Sequence, residues 1–129
     1  MAHDLANLSP DVLAFLRERH LAMLTTTRRD GGLHVVAVGF TYDPNERVAR
    51  VITWATAHKA LNAARGGRAA VGQVDGPRWL SLEGPVRLVT EGPGIERGVQ
   101  AYAERYREPK QRDDRVVIEI AVERMMGRG

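Results

Sequence analysis

The chain contains no cysteine, which excludes a disulfide framework, a thiolate zinc or iron–sulfur site, and a cysteine nucleophile. Aromatic residues are scarce. Two tryptophans, three tyrosines and two phenylalanines leave little material for a platform that stacks nucleic-acid bases. No apolar run approaches the ~18 residues of a membrane span, and the longest uncharged stretch, Gly31–Tyr42, is too short. Met1–Pro10 lacks a basic start followed by an apolar run, so no secretory signal and a cytoplasmic location are expected. Ser9 and Ser81 are the only serines, and neither sits in a nucleophile elbow.

Lysine is nearly missing too, and its replacement is informative. Of nineteen basic residues only Lys59 and Lys110 are lysines, against sixteen acidic residues and a net charge of +3. So small an excess, without a clustered basic face, argues against a nucleic-acid partner. Guanidinium groups suit carboxylates and phosphates, so an arginine-rich pocket for an anionic small molecule is compatible with the composition.

At 129 residues, with no repeat or low-complexity tract, the chain reads as one domain over residues 1–129. Ser9-Pro10-Asp11 predicts a helix start, ending near Arg19. Strands are predicted over His20–Thr27, Leu33–Tyr42, Val48–Ala55, Ala69–Val74, Trp79–Thr90 and Val116–Val122. The turns Arg29-Asp30-Gly31-Gly32, Asp43-Pro44-Asn45 and Asp75-Gly76-Pro77 separate them. Two further helices are predicted, about Ala57–Arg65 and Ile95–Arg107. Three consecutive hairpin-linked strands favour antiparallel pairing, and six strands around one core could close into a small barrel.

The most specific local feature is Thr53-Trp54-Ala55-Thr56-Ala57-His58-Lys59-Ala60-Leu61-Asn62, where a central strand gives way to a helix that Thr56 can cap. His58 and Lys59 in the first turn oppose the helix dipole, a cost that makes more sense if an anion binds there. The second feature is Arg78-Trp79, able to hold an acidic group and stack on a planar ligand, although the local sequence slightly favours a core tryptophan beside a surface arginine. His20, His34 and His58 show no metal-ligand spacing, so no metal is expected. Gly92-Pro93-Gly94 lacks the third glycine of a dinucleotide loop. Without hydrolytic machinery, the chemistry points to a bound cofactor.

The Thr53–Lys59 junction, Asn62 and Arg78-Trp79-Leu80-Ser81-Leu82-Glu83-Gly84 resemble the pyridoxamine-phosphate-oxidase-like split β-barrels. Within that superfamily, Ala14–Thr27, His34–Phe40, Ala49–Thr53, Val74–Gly84 and Arg115–Glu119 are similar to the branch that reduces biliverdin with the deazaflavin coenzyme F420. The resemblance implies a mainly β (α+β) fold, a six-stranded antiparallel split barrel with short flanking helices that forms a homodimer. It also implies hydride transfer from reduced F420 to the central methine of biliverdin, giving bilirubin. No side chain of the sequence compels a role as acid, so no catalytic side chain is expected and the proton is expected from solvent. Lys59, His58 and Asn62 are then expected at the phosphate and tail of F420, Ile52 and Thr53 along the deazaflavin, and Val36, Ala37, Val38 and Gly39 as backbone contacts. Arg78 and Trp79 are expected to flank the rings, and Arg28, Arg29 and Arg78 to meet the propionates of the tetrapyrrole. Departures from the flavin oxidases disfavour oxidation of pyridoxamine phosphate. Val35–Phe40 carries no charge where those enzymes place an arginine and a lysine, and His58 and Trp79 replace their usual arginine and glutamine. A reductase of another conjugated compound, or a non-catalytic carrier of F420 or haem, are the competing readings.

Overall fold

The computed structural model describes residues 2–129; Met1, the first residue of the expected domain, lies outside the described residues. The elements run α1 (Pro10–Arg17), β1 (Ala22–Thr27), β2 (Leu33–Val38), β3 (Thr41–Asp43), β4 (Val48–Trp54), α2 (His58–Ala64), β5 (Arg68–Asp75), β6 (Arg78–Val89), α3 (Pro93–Arg105), β7 (Arg115–Ala121) and β8 (Arg124–Arg128). Ser9 caps α1 by accepting the Val12 N–H at 3.2 Å, as its sequence predicts. The helix stops at Arg17 rather than near Arg19 because Glu18 turns extended. Among the described residues no helix is long and apolar enough to cross a membrane.

Every strand pair is antiparallel, in the order β2-β1-β5-β6-β7-β4-β3, with β8 attached to β6. The ends of that order, β2 and β3, do not pair, yet only Gly39 and Phe40 lie between them in the chain. Three Cα steps reach at most roughly 11 Å. The sheet must therefore curl until its two free edges almost meet, which makes a barrel split along one seam.

The six predicted strands are all present, and two short ones are added. The predicted strand Leu33–Tyr42 divides at Gly39–Phe40, where the chain crosses the seam. The second addition, β8, pairs through Met125↔Leu82 and Gly127↔Leu80. It depends on Gly127, whose φ of 115° suits glycine and whose absent Cβ would strike the Trp79 carbonyl. Gly84 plays a similar part in β6, since a side chain there would strike the Ala121 carbonyl. Up to Pro85 β6 pairs with β5, and from Val86 it pairs with β7.

The barrel interior holds Phe15, Leu24, Phe40, Val51, Val71, Leu80, Leu82, Ile118, Ile120 and Met125, all essentially inaccessible. Outside, α3 lies on β4 and β7, with Gly98 against Val117 and Ile52. The register sets three rows under and beside that helix: Arg50–Glu119–Arg87, then Ile52–Val117–Val89, then Trp54–Arg115. The other outer face, on β1, β2, β5 and β6, exposes Met23, Leu33, Val35, Val74 and Trp79.

Candidate active site

A seam between two strand edges leaves backbone groups without ladder partners. β2 pairs only with β1, and β3 covers only Val48–Arg50 of β4, so Val51–Trp54 has an open edge. Between these edges lies a cleft of about 280 Å³. Ala37, Val38 and Gly39 form one wall, and Ile52, Thr53 and Trp54 the other. Lys59 of α2, Tyr102 of α3 and the segment 107–110 complete it, with Arg115 at the start of β7. Two facing strand edges with free amides and carbonyls suit a flat heterocycle carrying ring nitrogens and carbonyls.

Three observations give the cleft its chemistry. The Thr53 hydroxyl is buried and has no hydrogen-bond partner, although the residue is only 1% exposed. A buried orphan of that kind costs about 1–3 kcal/mol unless something fills its need. Lys59 meets no carboxylate; its Nζ lies 4.9 Å from the centre of the Trp54 ring, and burial pushes its pKa down. The walls carry Lys59, Arg107, Lys110 and Arg115 against one acid, Glu108. An anion beside Lys59 would offset the cost of its burial. These groups fit a flat cofactor with a phosphate arm.

The frame that holds the cleft is tightly tied. Tyr106 accepts the Phe40 N–H at 3.1 Å and donates to the His20 carbonyl at 2.6 Å. Arg105 donates to the Phe40 carbonyl (2.6 Å), the Glu18 carbonyl (2.8 Å) and Gln73 Oε1 (2.7 Å). Both residues pin the end of α3 to the seam crossing. Gly39 fits closely there, because a Cβ would lie 3.0 Å from Tyr102 and 3.1 Å from Tyr106 and push both rings back. Arg115 holds the segment above the cleft by donating to the Lys110 carbonyl at 2.6 Å.

A second cleft of about 650 Å³ opens on the other side of α2's first turn. Arg28, Arg29 and Asp30 of the β1–β2 turn line it, with His34 of β2 and His58, Leu61, Asn62 and Arg65 of α2. The seven-residue α2 begins after Ala57 with no side-chain cap, so the expected capping by Thr56 is not made. Asn62 fixes the helix to the barrel instead. Its Nδ2 donates to Thr26 Oγ1 at 3.1 Å, and its Oδ1 accepts from Arg65 at 2.8 Å.

The structure thus brings together Ala37, Val38, Gly39, Ile52, Thr53 and Lys59 in the first cleft, and Arg28, Arg29, His58 and Asn62 in the second. Val36 faces the core. Arg78 and Trp79 line neither. Arg78 donates to both oxygens of Glu18 at 2.9 Å, bonds Asp75, and stacks 4.3 Å from the Phe15 ring centre. With His20 adding a weaker contact, Arg78 holds the Glu18 carboxyl down at about 2. Trp79 stands on the open sheet face beside Val74 and Arg128. Sequence reasoning missed Trp54, Arg107, Lys110 and Arg115. Only Trp54 carried a usable signal, as a tryptophan two residues from a strand–helix junction.

Comparison with known proteins agrees with this geometry. The sequence model of the family described as pyridoxamine 5'-phosphate oxidase matches residues 8–128. The chain is 52% identical over 127 residues to the F420H(2)-dependent biliverdin reductase of Mycobacterium tuberculosis, covering 98% of this chain and 93% of that protein. A conserved hypothetical protein of Mycobacterium tuberculosis superposes with a TM-score of 0.78 at 22% identity, covering 98% and 88% of the two chains. The haem storage protein HutZ of Vibrio cholerae superposes with a TM-score of 0.76 at 16% identity, covering 95% and 96%. These two likenesses concern the fold.

Proposed function

We propose, from the premise that this chain belongs to the pyridoxamine 5'-phosphate oxidase family, that it is a reductase delivering hydride from F420 to biliverdin. The observation that carries this reading is the near-full-length likeness to a reductase of that name. The seam cleft supports it independently, through two open strand edges, an orphaned Thr53 hydroxyl and an unpaired Lys59.

When bound, F420 supplies the hydride for the central methine of biliverdin; a proton on the neighbouring pyrrole nitrogen completes bilirubin. The work of the protein is then binding and orientation, which can account for a large part of a rate enhancement. Ala37, Val38 and Gly39 hold the ring system from one side with Ile52 and Thr53 on the other, and Thr53 gains its missing partner. Lys59 neutralises the phosphate. His58 lies on the acidic tail's path, and Asn62 serves by fixing α2. Arg29, with Arg28 beside Asp30, would meet the propionates at the turn. No side chain is assigned as the proton donor; the open cleft leaves that to solvent.

Trp79 enters through a second copy of the chain, while Arg78 stays tied to Glu18 and Asp75 within its own. The face exposing Met23, Val35, Val74 and Trp79 is too apolar to stand bare, and Ala37 of the cleft wall belongs to the same row as Met23. A homodimer packed on this face would carry Trp79 of one copy toward the cleft of the other. We place the enzyme in the cytoplasm, with neither nucleic acid nor membrane as partner.

The test is anaerobic turnover of purified protein with reduced F420 and biliverdin, with reduced flavin and nicotinamide as parallel donors. Loss of biliverdin absorbance with F420 alone is expected. Tight F420 binding with no turnover would make the chain a reductase of another conjugated acceptor or a carrier.

A further inference from the structure

The second cleft contains a feature that hydride transfer does not use. His34 and His58 face each other with ring centres 6.1 Å apart and planes tilted by 41°. His34 Nδ1 is buried and has no hydrogen-bond partner. The charged groups around the pair are Arg28, Arg29 and Asp30 from the hairpin turn and Arg65 from α2. Arg28 leans on Asp30 at 3.5 Å, and Arg65 is held by the Thr27 carbonyl and Asn62. Arg29 forms no ion pair among the described residues. The cleft therefore has positive charge in excess, one buried nitrogen lacking a partner among the described residues, and two imidazole rings within reach of an entering anion.

We propose that this cleft is a carboxylate-binding site in which His34 and His58 take up protons as the anion enters. A carboxylate entering beside the two imidazoles favours their protonated form, and each protonated ring gains a charge-assisted hydrogen bond. By linkage, the same carboxylates bind more tightly as pH falls through the histidine range. The inference rests on the proposed function, because both its ligands bring carboxylates: the glutamate tail of F420 and the propionates of biliverdin.

The experiment is equilibrium titration of the full chain with oxidised F420 and with biliverdin at pH 6 and pH 8, followed by fluorescence and by calorimetry in buffers of different ionisation heat. At least one ligand should bind about tenfold more tightly at pH 6, with net uptake of about one proton. The tail-less deazaflavin chromophore and biliverdin dimethyl ester serve as carboxylate-free partners, and the one that loses the pH term identifies the source. His34→Gln and His58→Gln, confirmed as folded by their thermal transitions, should each flatten the dependence. Binding of both F420 and biliverdin that is equally tight at both pH values, or a dependence surviving in both variants or in both carboxylate-free ligands, overturns this inference and leaves the proposed function standing. Failure of wild-type protein to bind either ligand at either pH overturns both.

Discussion

Two charged rows lie on one face of the sheet, about 13 Å apart along β4 and separated by the apolar row Ile52–Val117–Val89. The first is closed. Arg50 Nε donates to Glu119 at 3.0 Å and its Nη2 donates to Glu46 at 3.0 Å, while Arg87 takes the other Glu119 oxygen at 2.6 Å. Arg50 and Glu119 side chains are only 4% and 5% exposed, so each depends on the other for the charge it carries. The second row, Trp54 and Arg115 with Lys59 beside it, has cations and an aromatic face but no carboxylate on Lys59. Residue types are similar in both places; satisfaction differs. A buried charge with its partner in the same chain serves the fold, and one without a partner waits for a ligand.

The largest effect should come from breaking the closed row. Arg50→Ala leaves the buried Glu119 with the exposed Arg87 as its one remaining cation and should cost about 3 kcal/mol of unfolding free energy, measured by denaturant titration. F420 affinity of the remaining folded protein should hardly move. Lys59→Ala should do the reverse, lowering F420 affinity about tenfold to a hundredfold, or roughly 1.4–2.7 kcal/mol, without loss of stability. Burial disfavours the charged Lys59, so in the free protein its removal takes away a cost.

Thr53→Val sharpens the contrast at smaller scale. Replacing an orphaned buried hydroxyl by a methyl should leave stability unchanged or raise it by about 1 kcal/mol, while F420 binding weakens several-fold. A variant that loses stability instead would show that the hydroxyl is already served within the chain.

The smallest effect is on acid stability. Burial alone would raise the Glu119 carboxyl, but Arg87 and Arg50 outweigh it and hold it below its usual value. A carboxylate depressed in the folded state contributes stability above its ordinary range near pH 4 and loses it as pH falls toward the folded value. Glu119→Gln should therefore flatten the loss of stability below about pH 4, read from thermal midpoints across an acid series.

The open row was more legible in sequence than the closed one. Lys59 drew notice because a cation in the first turn of a helix is a local anomaly, visible without knowing the fold. Arg50 and Glu119 are 69 residues apart, and nothing local announces that β4 and β7 place them side by side. Each is a charge inside an otherwise apolar strand, a signal that becomes meaningful only in pairs. The turns Asp30-Gly31-Gly32 and Asp75-Gly76-Pro77 announced their hairpins, because glycine with positive φ is a local requirement, met at Gly31 and Gly76. The edge β8 was hidden, since Arg124–Arg128 becomes a strand only by contact with β6. The cleft walls come from six separated segments, and sheet curvature, not sequence proximity, assembles them.

The most direct test is titration of oxidised F420 into wild-type protein, Lys59→Ala and Arg50→Ala at neutral pH, with stability measured on the same samples. The two variants should separate cleanly, Lys59→Ala losing affinity while keeping its fold and Arg50→Ala losing stability while its folded fraction keeps affinity. Undiminished F420 binding in a well-folded Lys59→Ala protein would contradict the assignment of the seam cleft as the cofactor site.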